Sequence, residues 1–186
     1  MRRRSIIIFI LVSILNVALL ALLWWQLLTP ARNQPASNAD SLGNTNSPLI
    51  GHPAPDFTLP ALNAQTAPTI SLASFKGKPV VINVWNSTCG PCVHEMPLFQ
   101  SQWQRAKGVT FIGIDFQDTQ SDGLAFLQQH GITYPNGLDT SGSIAISYGV
   151  SGTPETFFID RHGVVVSKWT GELTAQTLES NLQKIT

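Results

Sequence analysis

The sequence has few of the residues that nucleic-acid binding or metal binding requires. Of its 186 residues only two are cysteine and four are histidine, and charged residues make up 12% with a formal net charge of zero. Proteins that bind nucleic acid normally carry clustered Lys and Arg that displace counterions from phosphates, so we expect no nucleic-acid partner. The histidines are scattered, and two cysteines alone do not complete a zinc site. We therefore expect no metal and no cofactor.

One long apolar run stands at the N-terminus. From Ile6 to Leu28 the residues are almost all aliphatic or aromatic, and at 1.5 Å per residue such a helix can cross a hydrocarbon core of roughly 30 Å. The preceding Arg2, Arg3 and Arg4 favour a cytoplasmic N-terminus. We therefore predict that residues 1–28 form a single-pass anchor in the plasma (inner) membrane, with the rest on the extracytoplasmic (periplasmic) side. The alternative is a cleaved signal peptide, whose apolar region is usually shorter, about 7–15 residues.

The rest of the chain divides into a linker and one domain. Residues 29–47 are rich in Asn, Ser, Ala and Pro and have too few large apolar groups to fold, which predicts a flexible linker. Residues 48–186 have the length of a single domain. The chain beyond the apolar run carries eight basic and eleven acidic residues. The predicted domain is therefore mildly acidic.

The predicted domain alternates strands and helices. Pro79 to Trp85 is a nearly unbroken β-branched run, typical of a central strand buried on both faces. Apolar residues at three- and four-residue spacing from Cys92 to Ala106 predict a helix that continues past Pro97. Further elements are predicted as strands over 69–72 and 109–116, helices over 123–130, 143–148 and 174–185, and an antiparallel hairpin of 155–160 with 164–169. This order predicts an α/β fold with a central mixed sheet flanked by helices.

The two cysteines form the motif Cys89-Gly90-Pro91-Cys92, at the point where the buried strand turns into the helix. Unpaired N–H groups and the helix dipole stabilise a thiolate there, so we expect Cys89 to be the attacking nucleophile. Cys92 lies one turn further into the helix and is the expected resolving thiol. A purely structural disulfide is the alternative, but so short a loop removes little chain entropy.

Two segments carry a family resemblance. The sequence from Trp85 to Cys92, followed by Glu95-Met96-Pro97, resembles thioredoxins, and more narrowly the membrane-anchored TlpA-like, ResA-like and CcmG (DsbE)-like thiol-disulfide oxidoreductases. The segment 148–160, Tyr-Gly-Val-Ser-Gly-Thr-Pro-Glu-Thr-Phe-Phe-Ile-Asp, resembles the loop of that subfamily around a cis-proline. The resemblance implies a thioredoxin fold for the predicted domain.

The resemblance also implies roles for individual residues. It implies that the Thr153-Pro154 bond is cis and that the substrate-binding residues are Trp85, Thr153, Pro154 and Glu155. Thioredoxins carry a buried Asp where this chain has Asn83, so another group must transfer the proton of the resolving thiol. Glu95, three residues after Cys92 on the same helical face, is the candidate catalytic group.

One position departs from the family pattern. The family commonly has Trp directly before the first cysteine, whereas this chain has Thr88. That ring helps to form an apolar lip around the cysteines, so partner recognition is expected to differ here.

The leading functional hypothesis is a reductase of disulfides in exported proteins, with apocytochrome c as the expected partner and a membrane thiol-electron transporter as the expected reductant. A peroxiredoxin-like peroxidase is an alternative suggested by the segment 53–57, although Ile82 and Asn86 stand where those enzymes have Pro and Thr. A non-enzymatic copper-delivery protein that uses the two thiols and a histidine is the other alternative. Those proteins usually space their cysteines by three residues rather than two.

Overall fold

The computed structural model describes residues 2–28, 47–63 and 67–186. The chain divides into two compact units, Met1–Ala39 and Asp40–Thr186. The first unit contains helix α1, Arg2–Leu28. Among the described residues, no helix meets the combined length and apolarity needed to cross a membrane. The linker predicted over 29–47 lies outside the described residues, apart from Ser47.

The second unit contains seven strands and four α-helices within its described residues. In chain order they are β1 Thr58–Pro60, β2 Thr69–Ser71, β3 Val80–Trp85, α2 Gly90–Arg105, β4 Thr110–Phe116, α3 Gln120–Gln129, β5 Asn136–Asp139, α4 Ser143–Ser147, β6 Glu155–Ile159, β7 Val165–Thr170 and α5 Ala175–Ile185. A short 3-10 helix, Leu72–Phe75, follows β2.

The main sheet has five strands in the order β5-β4-β3-β6-β7. Strands β3, β4 and β5 are parallel, whereas β6 is antiparallel to both β3 and β7. The predicted mixed sheet and the predicted hairpin of β6 with β7 are therefore confirmed. Strand β3 lies at the centre and is buried along its whole length, as its β-branched sequence predicts.

A hydrophobic core lies on each face of this sheet, because successive side chains of a strand point to opposite faces. On one face, Val81 and Trp85 of β3 pack in a cluster with residues of α2, α3 and α5. On the other face, Ile82 and Val84 pack with α4 and with the segment that contains β1 and β2. The cysteines belong to the first cluster.

Several elements differ from the sequence prediction. Strand β1 is not predicted and forms by antiparallel pairing with β2, and the 3-10 helix Leu72–Phe75 is not predicted either. Strand β5 is not predicted, because its Asn, Gly and Asp have low strand propensity; it forms through pairing with β4. Helix α3 begins three residues earlier than predicted, since the Thr119 side chain accepts a hydrogen bond from the N–H of Asp122 and caps the helix. The remaining elements lie within a few residues of their predicted bounds.

Candidate active site

The cysteine pair lies at the N-terminus of α2, directly after the central strand. Cys89 is the N-cap residue, and its Sγ accepts a hydrogen bond of 3.2 Å from the backbone N–H of Cys92. The two residues form a disulfide. Cys89 is 7% exposed and Cys92 is fully buried. Cys89 is therefore the sulfur nearer to solvent, at a position where free N–H groups favour a thiolate.

The loop that leads to Cys89 is held by several hydrogen bonds. The backbone carbonyl of Asn86 accepts from the N–H of Cys89 at 3.2 Å, and Oδ1 of Asn86 accepts from both the N–H and the hydroxyl of Thr88. The N–H of Ser87 donates to Oδ2 of Asp118 at 2.7 Å. Thr88 is exposed beside the disulfide. A small polar side chain, rather than an aromatic ring, thus borders the reactive sulfur.

The Thr153-Pro154 peptide bond is cis, as predicted. Strand pairing places it at the same edge of the sheet as the cysteines, because Val84 near the end of β3 pairs with Glu155 at the start of β6. Thr153 is half-buried. No described residue forms a hydrogen bond with the backbone of Thr153. Its N–H and C=O are therefore available to an extended peptide.

The Glu155 carboxylate is fully buried next to this loop. One oxygen, Oε1, accepts from the N–H and the hydroxyl of Ser151, while Oε2 lies 2.6 Å from Nζ of Lys168. Lys168 also donates to the carbonyl of Gly149 at 3.0 Å. The predicted substrate residue Glu155 thus holds the loop 149–154 from inside and exposes no surface to a peptide.

Trp85 is also placed inside the core. Its side chain is 0% exposed, stacks on Phe126 with ring centroids 4.9 Å apart and donates from Nε1 to Oδ1 of Asn136 at 2.9 Å. Trp85 therefore cannot contact a substrate directly, and it can affect substrate binding only by positioning the loop that follows it. Glu155 and Trp85 differ in this respect from Thr153, which borders the surface.

A buried carboxyl group lies one helical turn beyond Cys92. Glu95 is 1% exposed; its Oε1 accepts from Nδ2 of Asn83 at 2.7 Å and its Oε2 accepts from the N–H of Leu173 at 3.0 Å. Burial raises the pKa of Glu95 to about 7, and the nearby Glu172 adds to this, although the two hydrogen bonds oppose it. Glu95 can therefore hold or release a proton near neutral pH.

Sequence reasoning did not identify Asp115 and Asp118. Asp115, in β4, is 0% exposed, and burial raises its pKa to about 8, with Asp118 and Asp122 adding to the effect. Burial alone would also raise the pKa of Asp118, but hydrogen bonds from Ser87 and Thr119 outweigh it, so that pKa is lowered. The signal in the sequence was an acidic residue inside the apolar run Phe111-Ile112-Gly113-Ile114-Asp115-Phe116.

The described residues contain no group of three His, Cys, Asp or Glu side chains arranged to hold a metal ion. Within this part of the chain the site thus consists of a cysteine pair, the cis-proline loop and a buried carboxyl group with a raised pKa.

A model of the AhpC/TSA family matches residues 50–168, which is more than half of the chain. The chain belongs to the AhpC/TSA family. Among its relatives, the thiol-disulfide oxidoreductase ResA of Bacillus thuringiensis subsp. konkukian is 37% identical over 139 residues, or 74% of this chain and 79% of ResA. The thiol:disulfide interchange protein DsbE of Escherichia coli K12 is 30% identical over 184 residues, or 98% of this chain and 94% of DsbE.

A solved structure has the same thioredoxin fold as this chain. The crystal structure of a protein from Chlorobium tepidum, proposed to be a thiol:disulfide interchange protein DsbE, superposes with a TM-score of 0.64 at 30% identity and covers 73% of this chain and 96% of its own. The resemblance to ResA-like and DsbE-like proteins is therefore confirmed. With the Cys89–Cys92 pair at the helix N-terminus, this AhpC/TSA family member is a thiol-disulfide oxidoreductase.

Proposed function

We propose that the protein reduces disulfides in exported proteins through Cys89 and Cys92. The observation that carries this proposal is the buried carboxyl group of Glu95, whose pKa is raised to about 7, one helical turn beyond a cysteine pair at a helix N-terminus. The Gly90-Pro91 dipeptide between the cysteines also resembles that of reducing thioredoxins.

In the first step, the Cys89 thiolate attacks one sulfur of the substrate disulfide. The substrate S–S bond breaks, a mixed disulfide forms with Cys89, and the departing substrate sulfur leaves as a thiolate that takes a proton from solvent. The N-cap position of Cys89 stabilises the attacking thiolate. The free backbone groups of Thr153 hold the substrate chain as an added extended segment.

In the second step, Cys92 resolves the mixed disulfide. Its thiol passes a proton to the Glu95 carboxylate, and its sulfur attacks Sγ of Cys89. The second substrate sulfur leaves as a thiolate, so the substrate has gained two electrons and the protein is in the disulfide form that the structure shows. Glu95 then returns its proton to solvent.

The direction of electron flow is tested by the reduction potential of the Cys89–Cys92 couple. The full-length chain would be equilibrated against glutathione or dithiothreitol buffers, and the fraction of dithiol measured by thiol alkylation. A potential near that of thioredoxin, about −270 mV, supports a reductase. A potential near −120 mV would reverse the assignment to an oxidant that donates its disulfide to folding proteins.

We further propose that α1 anchors the domain on the extracytoplasmic side of the plasma (inner) membrane, although no helix among the described residues has the combined length and apolarity of a membrane span. Support comes from its 27 residues, about 40 Å at the rise of an α-helix, and from the three arginines at its start. The test is fractionation of cells followed by alkaline carbonate extraction, with labelling of Cys89 in intact cells by a membrane-impermeant maleimide. Loss of the protein to the carbonate wash, or labelling only after lysis, would contradict this placement.

The proposed partners are the heme-attachment cysteines of an apocytochrome c as substrate and a membrane thiol-electron transporter as reductant. The names ResA and DsbE among the relatives and the extracytoplasmic placement proposed above support this choice. Purified Cys92→Ser protein incubated with an oxidised peptide that carries a Cys-x-x-Cys-His motif should form a mixed disulfide. The matched control peptide has its two cysteines moved apart, and equal reaction with both peptides would contradict the preference.

Peroxide reduction is the second candidate, favoured by the AhpC/TSA family match. The same full-length chain would be reduced and mixed with hydrogen peroxide, and peroxide consumption followed. We expect no turnover above that of the Cys89→Ser variant, because Ile82 and Asn86 replace the Pro and Thr of peroxidases. Turnover that depends on Cys89 would establish a peroxidase.

A further inference from the structure

Asp115 is a buried acidic residue whose carboxyl oxygens have no hydrogen-bond donor among the described residues. Its side chain is 0% exposed, and neither carboxylate oxygen accepts a hydrogen bond from another described residue. No ion pair to a cation involves it within the described part of the chain. Burying an ionised carboxylate without donors is strongly unfavourable, so an explanation for this residue is required.

The packing around Asp115 leaves it little freedom to turn toward solvent. A Cβ on Gly123 of α3 would collide with Oδ2 of Asp115, and it would lie 2.9 Å from Cδ2 of Leu62. The carboxyl group thus fills the space that the missing side chain of Gly123 leaves. A carboxyl group that cannot turn toward solvent avoids the free-energy cost of a buried charge by remaining protonated.

The neighbouring charged groups favour the same result. Asp118, which follows β4, and Asp122, in the first turn of α3, are the charged side chains that act on Asp115, and both are acidic. A side-chain hydrogen bond between the two carboxyl groups contributes to raising the pKa of Asp115 and to lowering that of Asp118. Two carboxylates in contact repel each other, whereas a carboxylic acid beside a carboxylate donates a strong, charge-assisted hydrogen bond.

Asp118 connects this pair to the reactive cysteine. Its Oδ2 accepts from the N–H of Ser87 at 2.7 Å, two residues before Cys89, and its Oδ1 accepts from the N–H of Thr119 at 2.8 Å. The parallel pairing of Trp85 with Asp115 brings the end of β4 next to the loop that follows β3. The Asp118 carboxylate is therefore the side-chain contact that fixes the N–H of Ser87.

We propose that Asp115 and Asp118 share one proton, and that this acid pair is a positioning device for Cys89. Asp115 keeps the proton and donates a hydrogen bond through it to the Asp118 carboxylate, and Asp118 holds the loop 86–88 through Ser87. The shared proton also keeps a second negative charge away from the Cys89 thiolate. Asp115 and Asp118 touch neither substrate nor the reacting sulfurs, so both are positioning residues. This proposal rests on the role of Cys89 as the attacking nucleophile.

The test compares two replacements of Asp115 in the full-length Cys92→Ser protein. Asp115→Asn keeps the shape and a donor to Asp118, whereas Asp115→Leu keeps the branching and removes the donor. The rate of Cys89 alkylation by iodoacetamide would be measured from pH 4 to pH 10. Below pH 7 the Asn variant should be alkylated at the same rate as the parent. The Leu variant should be alkylated about tenfold more slowly, because it loses the hydrogen bond to the charged Asp118 carboxylate.

The pH dependence separates this role from a merely structural one. In the parent, a second inflection near the Asp115 pKa of about 8 should follow the thiolate inflection, because ionised Asp115 repels Asp118 and loosens the loop. That second inflection should be absent from the Asn variant. Equal profiles for parent, Asn and Leu variants would overturn the proposal.

A measurement that does not depend on the Leu variant folding is carboxyl NMR of the parent protein. The Asp115 carboxyl carbon should titrate well above the ordinary Asp pKa, and Asp118→Asn should move that titration downward because a negative neighbour is removed. Titration near the ordinary value of about 3.9 would overturn the shared proton. Mass spectrometry of the alkylated, reduced wild-type chain identifies the reactive thiol; modification at Cys92 instead of Cys89 would count against the proposed function itself.

Discussion

The side-chain amide of Asn83 donates a hydrogen bond of 2.7 Å to Oε1 of Glu95, and both residues are buried. Asn83 lies in the central strand and Glu95 in the helix that carries the cysteines. The N–H of Leu173 donates to the other carboxyl oxygen. These two donors fix the carboxyl group one turn beyond Cys92 without neutralising it, which suits a group that must repeatedly gain and lose a proton.

Replacing Glu95 with Gln should slow resolution of the mixed disulfide. The amide cannot take the proton of Cys92, and loss of a general base typically costs about 10²- to 10⁴-fold. The rate of insulin reduction under single-turnover conditions should also lose its inflection near pH 7, the pKa of Glu95. The first step, alkylation of Cys89, should change far less.

The matched control is Glu172→Gln, which removes an exposed negative charge that acts on Glu95. This variant should keep the inflection and move it slightly to lower pH, since one cause of the raised Glu95 pKa is gone. An unchanged inflection in Glu95→Gln would show that another group carries the proton.

Replacing Cys92 with Ser should trap substrates on Cys89. The resolving attack is lost, so the mixed disulfide persists. Non-reducing electrophoresis with mass spectrometry should show adducts on Cys89, and reductant should release them. Trapping by Cys89→Ser but not by Cys92→Ser would reverse the roles of the two thiols.

Replacing Lys168 with Met should destabilise the domain. Glu155 would keep a fully buried charge without its cation, and breaking a buried ion pair in this way costs about 3–5 kcal/mol. The double variant Glu155→Gln with Lys168→Met should recover a large part of that loss, because neither charge remains. Chemical denaturation of the wild-type, single and double variants measures the coupling free energy between Glu155 and Lys168. If Lys168→Met lowers the free energy of unfolding by less than about 1 kcal/mol, the ion pair contributes little to stability.

The stability of the disulfide form should fall between about pH 4.5 and pH 8. Glu95 and Asp115 have folded-state pKa values raised to about 7 and about 8, above those of an unfolded chain. The folded state therefore binds more protons in this window, and the free energy of unfolding decreases by up to about 1.4 kcal/mol per pH unit for each group. Denaturant unfolding across this range should show a shallower slope for Asp115→Asn. A stability that rises with pH through the window would contradict both protonation states.

Part of this site follows from the sequence because its chemistry is local. The Cys89 to Cys92 spacing, the β-branched run before it and the helical periodicity after it place a thiol pair at a helix N-terminus. The resemblance of segment 148–160 to the cis-proline loop of ResA-like and DsbE-like proteins implied that the Thr153-Pro154 bond is cis, and it is. Glu95 follows from helical spacing, since residues three apart share a face.

The depth of burial and the partners of each group were decided only by the tertiary structure. Trp85 and Glu155 are fully buried because residues far along the chain, Asn136 and Lys168, meet them there. The raised pKa of Asp115 depends on tertiary contacts, because Gly123 of α3 packs against its carboxyl group and Asp118 lies beside it. A pKa depends on solvent exclusion and on charges within a few ångströms. The spacing of residues along the chain therefore predicts the thiol pair and its place at the helix N-terminus, whereas the packing of distant segments sets the burial that raises the pKa values of Glu95 and Asp115.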